Sequence, residues 1–328
     1  MSAIANSTPG GRVSAAALVA VLLLVGGTQT QALINGVDDF EHTAVAAIMV
    51  YGPDPSNPSQ LGWRAFCSGV LVHKRVIQTA GHCIQFIRAG VAAGSIRAVW
   101  VSFQQNPLAH FNNDPAVADP ASGGWHEIES MHNNPDNIDF LALMQEDPET
   151  VRSVWGTFHD SGAIILKDRV KGIRPMKMAS TPGEVDRLLD KAGCEVMGPD
   201  CNLLVVSYGL RGWPPGPDVL PQWRQSVHLR YKGIDPLFID TFGDPPGSAT
   251  GAVCPGDSGG AFVLLGKNGR DRTIVAINSS PADPFGIPCA DGALQYRVDT
   301  ESHVGFIRKV ILRSLYGGPG DHPGVAFN

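Results

Sequence analysis

A hydroxyl, an imidazole and a carboxylate in one chain are enough to consider covalent catalysis. Ser258 lies in AVCPGDSGGAFV, residues 252–263, within a glycine turn that satisfies G-x-S-x-G. In such a turn the backbone N–H groups of Gly256 and Ser258 can converge on a developing oxyanion, and glycine lets the chain approach a substrate closely. His82, in TAGHC at 79–83, can take the hydroxyl proton, and an aspartate between the two can hold the imidazole in the required tautomer. Serine and glycine are also ordinary loop vocabulary, so the turn alone decides nothing. Order along the chain does discriminate. A nucleophile-elbow hydrolase of the α/β type places its acid and its histidine after the serine. Here 70 residues follow Ser258, and their histidines are His303, on an expected helix, and His322, in a glycine-rich tail. That order fits the elbow poorly and fits histidine, aspartate, serine instead.

The elements that must position these residues read as short strands. With 328 residues and 43% hydrophobic content, the chain is long enough for two compact domains around a buried core. Gly 38 and Pro 25 are high for a helical protein and separate short Val/Ile/Leu runs, which predicts an all-β fold. Buried strands are expected at TAVAAIMVYG (43–52), GAIIL (162–166), LLVVSYG (203–209) and TIVAIN (273–278), with two more and a sharp turn in FCSGVLVHKRVIQTAGHC. The stretch from about 103 to 157 is rich in Asn, Pro and Asp and reads as a loop-rich insertion. Near the end, Val304, Ile307, Ile311 and Leu315 have helical spacing, with Ser302 as N-cap and Gly317 as a stop.

Charged residues make up only 17%, the formal net charge is −6 and no Lys/Arg cluster occurs, so nucleic acid and anionic membranes are not expected partners. The amino terminus reads as an export signal: Arg12 as its only charge, the apolar run AAALVAVLLLV at 15–25, and a small, polar stretch ending at Ala32. That run is shorter than the roughly 20 residues a membrane span needs. Secretion would permit disulfides, and the six cysteines are an even number. No C-x-x-C or paired His spacing supports a zinc site, and no metal or cofactor is expected.

TAGHC followed far downstream by CPGDSGG resembles the chymotrypsin-like serine proteases, over most of the chain from Leu33 to the final helix and least from about 85 to 157. The resemblance implies two antiparallel Greek-key β-barrels and a C-terminal helix. Residues 33–180 would carry His82 and the aspartate, 181–300 would carry Ser258, 301–316 would be the helix and 317–328 a tail. It implies a secreted, monomeric serine endopeptidase that acts on protein or peptide substrates and meets protein inhibitors. A triad-bearing esterase and a catalytically silent binding homologue are the alternatives.

For the aspartate, Asp160 precedes Ser258 by 98 residues and Asp139 by 119, against about 93 in the type enzyme, which favours Asp160. The cost is a gap of 78 residues from His82 to Asp160 against about 45, which the insertion would fill. The family pattern also implies bridges Cys67–Cys83 and Cys254–Cys289, and leaves Cys194 and Cys201 to each other. LING at 33–36 loosely matches the family's matured amino terminus, so a free Leu33 ammonium would pair with Asp257. Export cleavage after Ala32 would itself create that terminus. In the specificity pocket Ala252 stands where a trypsin-like member has its acidic floor, with Val253 beside it and Ser279 or Asn278 on the opposite wall. Cleavage after apolar or small residues is the expectation.

Overall fold

The computed structural model describes residues 33–317 except 55–56, 113, 115, 117–118, 197, 199–200, 210–222, 245–247, 249, 267–271, 285–288 and 290–291. The expected export signal and the tail beyond Gly317 lie outside the described residues.

A two-residue strand, β1 (Val37–Asp38), precedes β2 (Val45–Pro53), β3 (Leu61–His73), β4 (Val76–Thr79), β5 (Ala98–Ser102), β6 (His126–Asn133) and β7 (Gly162–Leu166). The last six close into an antiparallel barrel in the order β2-β3-β4-β7-β6-β5. Successive side chains in a strand face opposite ways, and β2 shows why its sequence is apolar throughout. Ala46, Ile48 and Val50 point into the barrel core with Leu71, Ile77 and Ile164, while Val45, Ala47 and Met49 join the core shared with the second half.

The second half contributes β8 (Lys177–Met178), β9 (Leu203–Ser207), β10 (Gln225–His228), β11 (Tyr231–Ile234), β12 (Phe238–Thr241), β13 (Ala261–Leu265), β14 (Arg272–Pro281) and β15 (Ala293–Arg297). With β1 they form a nine-stranded sheet, ordered β1-β10-β9-β13-β14-β15-β12-β11, with β8 parallel to β14. Thus the first described residues belong to the second half: β1 pairs with β10, and Ile34 bridges Ala252.

Five α-helices decorate the strands among the described residues: α1 (Gly81–Ala92), α2 (Phe140–Leu143), α3 (Pro148–Val154), α4 (Glu184–Ala192) and α5 (Glu301–Tyr316). Helix α5 returns to the first barrel, where Phe306, Ile307 and Val310 cover Val76, Ala163 and Ile165. Burying each of those three side chains is worth about 1.5–3 kcal/mol. Its N-cap is Thr300, whose hydroxyl accepts the His303 N–H, and not Ser302 as the spacing suggested. Ser302 instead donates to Asp136 and accepts from Asn134. The segment read as loop-rich contains the barrel strand β6. A register shift between Ile128 and Ser130 breaks its period-two pattern, which hid the strand in the sequence.

Candidate functional site

His82 is the second residue of α1, at the open end of β4, and Asp160 lies in the extended segment just before β7. Antiparallel pairing of β4 with β7, Thr79 opposite Gly162, brings the two together across 78 residues of chain. Asp160 Oδ1 accepts the His82 backbone N–H at 2.8 Å, and Oδ2 lies 2.8 Å from His82 Nδ1. Ser279 Oγ donates to the same Oδ2 at 2.6 Å. Burial alone would raise the Asp160 carboxyl, but the His82 charge and the hydrogen bonds from His82 and Ser279 outweigh it and hold the group below its ordinary value. An ionised carboxylate only accepts. It therefore fixes the Nδ1–H tautomer of His82 and leaves Nε2 as an acceptor.

Asp139 has a different job. It is exposed and caps α2, its Oδ1 accepting from the N–H groups of Leu141 and Ala142.

Ser258 is held against the barrel by its backbone. Its carbonyl accepts the Ser68 N–H at 2.8 Å, and the sulfur of Cys83, the residue after His82, lies 3.8 Å from the same oxygen. Ser68 Oγ donates to Gly256 O at 3.1 Å, so one β3 residue grips both ends of the turn. Glycine is required here by space as well as conformation. Gly259 has φ +79°, and a Cβ on it would lie 2.1 Å from Thr79 Oγ1 and 2.3 Å from Ser68 O. Gly256 has φ +93°. The N–H groups of Gly256 and Ser258 donate to no acceptor among the described residues, and Ser258 Oγ has no hydrogen-bond partner among them either. The structure thus joins Asp160 to His82 directly and holds the Ser258 backbone against Cys83, the residue after His82, without a serine–histidine hydrogen bond.

Asp257 is fully buried beneath the turn. It accepts from Ser207 Oγ at 2.6 Å, Gly209 N–H at 2.8 Å and Cys254 N–H at 2.7 Å, with the Leu33 backbone N–H as a further donor. Burial nevertheless outweighs these bonds and pushes the carboxyl up to about 6. Leu33 is itself buried, with φ +37°.

Of the residues expected in a specificity pocket, Ala252 is buried in a small apolar group with Ile34, Cys254 and Cys289, and Val253 packs on the main core. Ser279, expected on the opposite wall, has its hydroxyl on Asp160. Segments 285–288 and 290–291 beside Cys289 lie outside the described residues. Three disulfides form: Cys67–Cys83 and Cys254–Cys289 as the resemblance implied, and Cys194–Cys201 as the pair left over. Cys67 and Cys83 flank His82, but sulfurs bonded to each other offer no thiolate to a metal. No helix among the described residues is long and apolar enough to cross a membrane.

Two partners escaped the sequence reading. Ser68 and Ser207 each sit in or at the end of an apolar strand, and they reach the turn and its aspartate. A lone buried serine in such a run was the available signal.

No protein-family model matches the chain, and no curated protein matches it in sequence. Solved structures do match. Human heparin binding protein superposes with a TM-score of 0.52 at 16% identity, covering 88% of this chain and 100% of that one. Neuropsin, a serine protease expressed in the limbic system of mouse brain, superposes with a TM-score of 0.50 at 16% identity, covering 84% of this chain and 98% of that one. The fold is that of the chymotrypsin-like serine proteases. Identity this low speaks for fold alone, and the two neighbours, one named for binding and one a protease, bracket what a chymotrypsin-like fold can do.

Proposed function

We propose that the chain is a secreted serine endopeptidase in which Ser258, His82 and Asp160 form the catalytic triad. The observation that carries this reading is the buried Asp160 carboxylate on His82 Nδ1, beside a glycine turn that presents Ser258 with two unengaged N–H groups. Ser258 Oγ attacks the scissile carbonyl while His82 Nε2 takes its proton. The oxyanion is held by the N–H groups of Gly256 and Ser258, and His82 then passes the proton to the leaving amine. Water releases the acyl group by the same steps in reverse order. Asp160 stays ionised throughout and stabilises the imidazolium.

Ala252 and Val253 supply no carboxylate, which supports cleavage after apolar or small residues over Lys or Arg. The Leu33 N–H on Asp257 supports a matured form in which a free Leu33 ammonium supplies the buried carboxylate with a countercharge. Three disulfides are consistent with export. Proteins or peptides are the substrates, and protein inhibitors of the same class are the expected partners.

The test is a mixed-peptide cleavage profile of the purified protein and its Ser258→Ala variant, run beside labelling with a fluorophosphonate. Cuts made only by the wild type, after apolar or small residues, with label on Ser258, support every part. Cuts after Lys or Arg overturn the pocket assignment. Absence of both label and cleavage in a correctly folded sample makes the chain a binding protein on this fold.

A further inference from the structure

Beyond Asn278, which is tied back to the nucleophile turn by Gly259 N–H to its carbonyl at 2.7 Å and by its own N–H to Gly260 O at 2.9 Å, strand β14 runs on through Ser279 and Ser280 to Pro281. On one side these residues pair with β15, Ser280 opposite Leu294 and Pro281 opposite Ala293. The other side has no strand partner among the described residues. An open strand edge leading away from a nucleophile is where an extended peptide adds as a further strand.

The next residue fixes which groups Pro281 offers to that edge. Ala282 N–H donates to Gly292 O at 2.7 Å, so 282 and 292 are the hydrogen-bonded pair. By the alternation of antiparallel ladders, the backbone of Pro281 faces away from β15, toward the open edge. Proline has no N–H to donate. Its carbonyl is already engaged, accepting from Trp155 Nε1 at 2.9 Å. Trp155 follows α3 and is held by Phe140 and Phe158, ring centroids 6.5 and 5.4 Å away, while Phe140 also stands edge-on to His82 at 5.5 Å. The same aromatic group therefore supports the histidine and shuts the edge.

An extended substrate that adds to this edge with the residue before the scissile bond opposite Ser279 would bring its third residue on that side opposite Pro281, about 7 Å further on. We propose that Trp155 and Pro281 together withhold backbone pairing from that third residue, so that the site gains nothing from acyl segments longer than two residues. The inference deepens the serine hydrolase reading above and rests on it for the register of the substrate.

The probe is a series of acylated alanine p-nitroanilides carrying one to four alanines. It is measured as kcat/KM on the wild type, and the matching uncleaved peptides as Kd on Ser258→Ala. In the wild type the ratio between three and two alanines should stay near one. Trp155→Phe keeps a ring and removes the indole N–H, freeing the carbonyl, and should raise that ratio about three- to ten-fold, the scale of one net hydrogen bond. Pro281→Ala, which restores a donor at an exposed position, should independently raise the ratio between two alanines and one, because the acyl carbonyl of the two-alanine probe already stands where the third residue's carbonyl would. A rise at the third alanine in the wild type, or an unchanged ratio in both variants, overturns the proposal. Binding to Ser258→Ala that levels off at two alanines, without turnover by the wild type, would count against the hydrolase reading alone, since the same ratio is then read from Kd. Absence of binding and turnover at every length overturns both.

Discussion

Asp160→Asn changes one heavy atom of a side chain that accepts three hydrogen bonds, and the geometry dictates how the amide must sit. Placed at the Oδ1 position, its NH2 would face the His82 backbone N–H, donor against donor at 2.8 Å. Placed at Oδ2, it faces His82 Nδ1 and the Ser279 hydroxyl, and the hydroxyl can rotate to accept. The second arrangement is the lower in energy. It obliges Nδ1 to become the acceptor, so the imidazole proton moves to Nε2, the atom that must receive the Ser258 proton. The expected result is a fall in kcat of about 10⁴-fold, some 5 kcal/mol of transition-state stabilisation, with the fold retained. The assay is kcat on the best p-nitroanilide found in the cleavage profile, with thermal melting to check folding. Asp139→Asn serves as a control: asparagine caps a helix as well as aspartate, so rate and melting temperature should hardly move. A folded Asp160→Asn variant that loses less than ten-fold, or an Asp139→Asn variant that loses more, would refute the assignment of Asp160.

Two further outcomes concern pH. His303 is fully buried, with Nδ1 3.0 Å from Ser161 Oγ, and burial pushes it down from 6.5 to about 3. Its contribution to stability is therefore present above pH 6.5 and is lost as pH falls toward 3, on the order of 5 kcal/mol across that window. Urea unfolding should show this loss, His303→Gln should flatten it, and parallel curves for the two proteins would contradict the buried neutral imidazole. Asp257 has the opposite sign. Raised from 3.8 to about 6 while Leu33 offers only an amide, it contributes stability that is complete below pH 3.8 and is lost as pH rises through 6, on the order of 3 kcal/mol. A chain beginning at Leu33, whose ammonium can pair with the carboxylate, should keep that stability up to about pH 8, where the ammonium itself titrates. Identical pH profiles for the chain with and without the preceding residues would sink the pairing.

Much of this protein was legible without coordinates because it is encoded locally. The strands at 45–53, 162–166, 203–207 and 272–281 are apolar runs bounded by turn residues, and a strand buried on both faces has no other composition open to it. The order of His82, an aspartate and Ser258, the glycines of the turn and the even cysteine count are likewise linear facts. Spacing even favoured Asp160 over Asp139. What it could not supply was the reason, which is that β4 and β7 pair and carry His82 and Asp160 to within hydrogen-bonding distance, while Asp139 caps a helix.

Roles that depend on where a side chain points were decided only in three dimensions. Ser279 and Ser280 are adjacent and chemically identical, and a bulge between Asn278 and Ser280 decides which hydroxyl meets Asp160. Strand β6 escaped detection because a bulge broke its alternation, and Trp155 meets Pro281 across 126 residues of chain that no local pattern connects. Periodicity records which way a regular strand faces; at a bulge, a cap or a long-range contact that record is interrupted, and only the packed structure restores it.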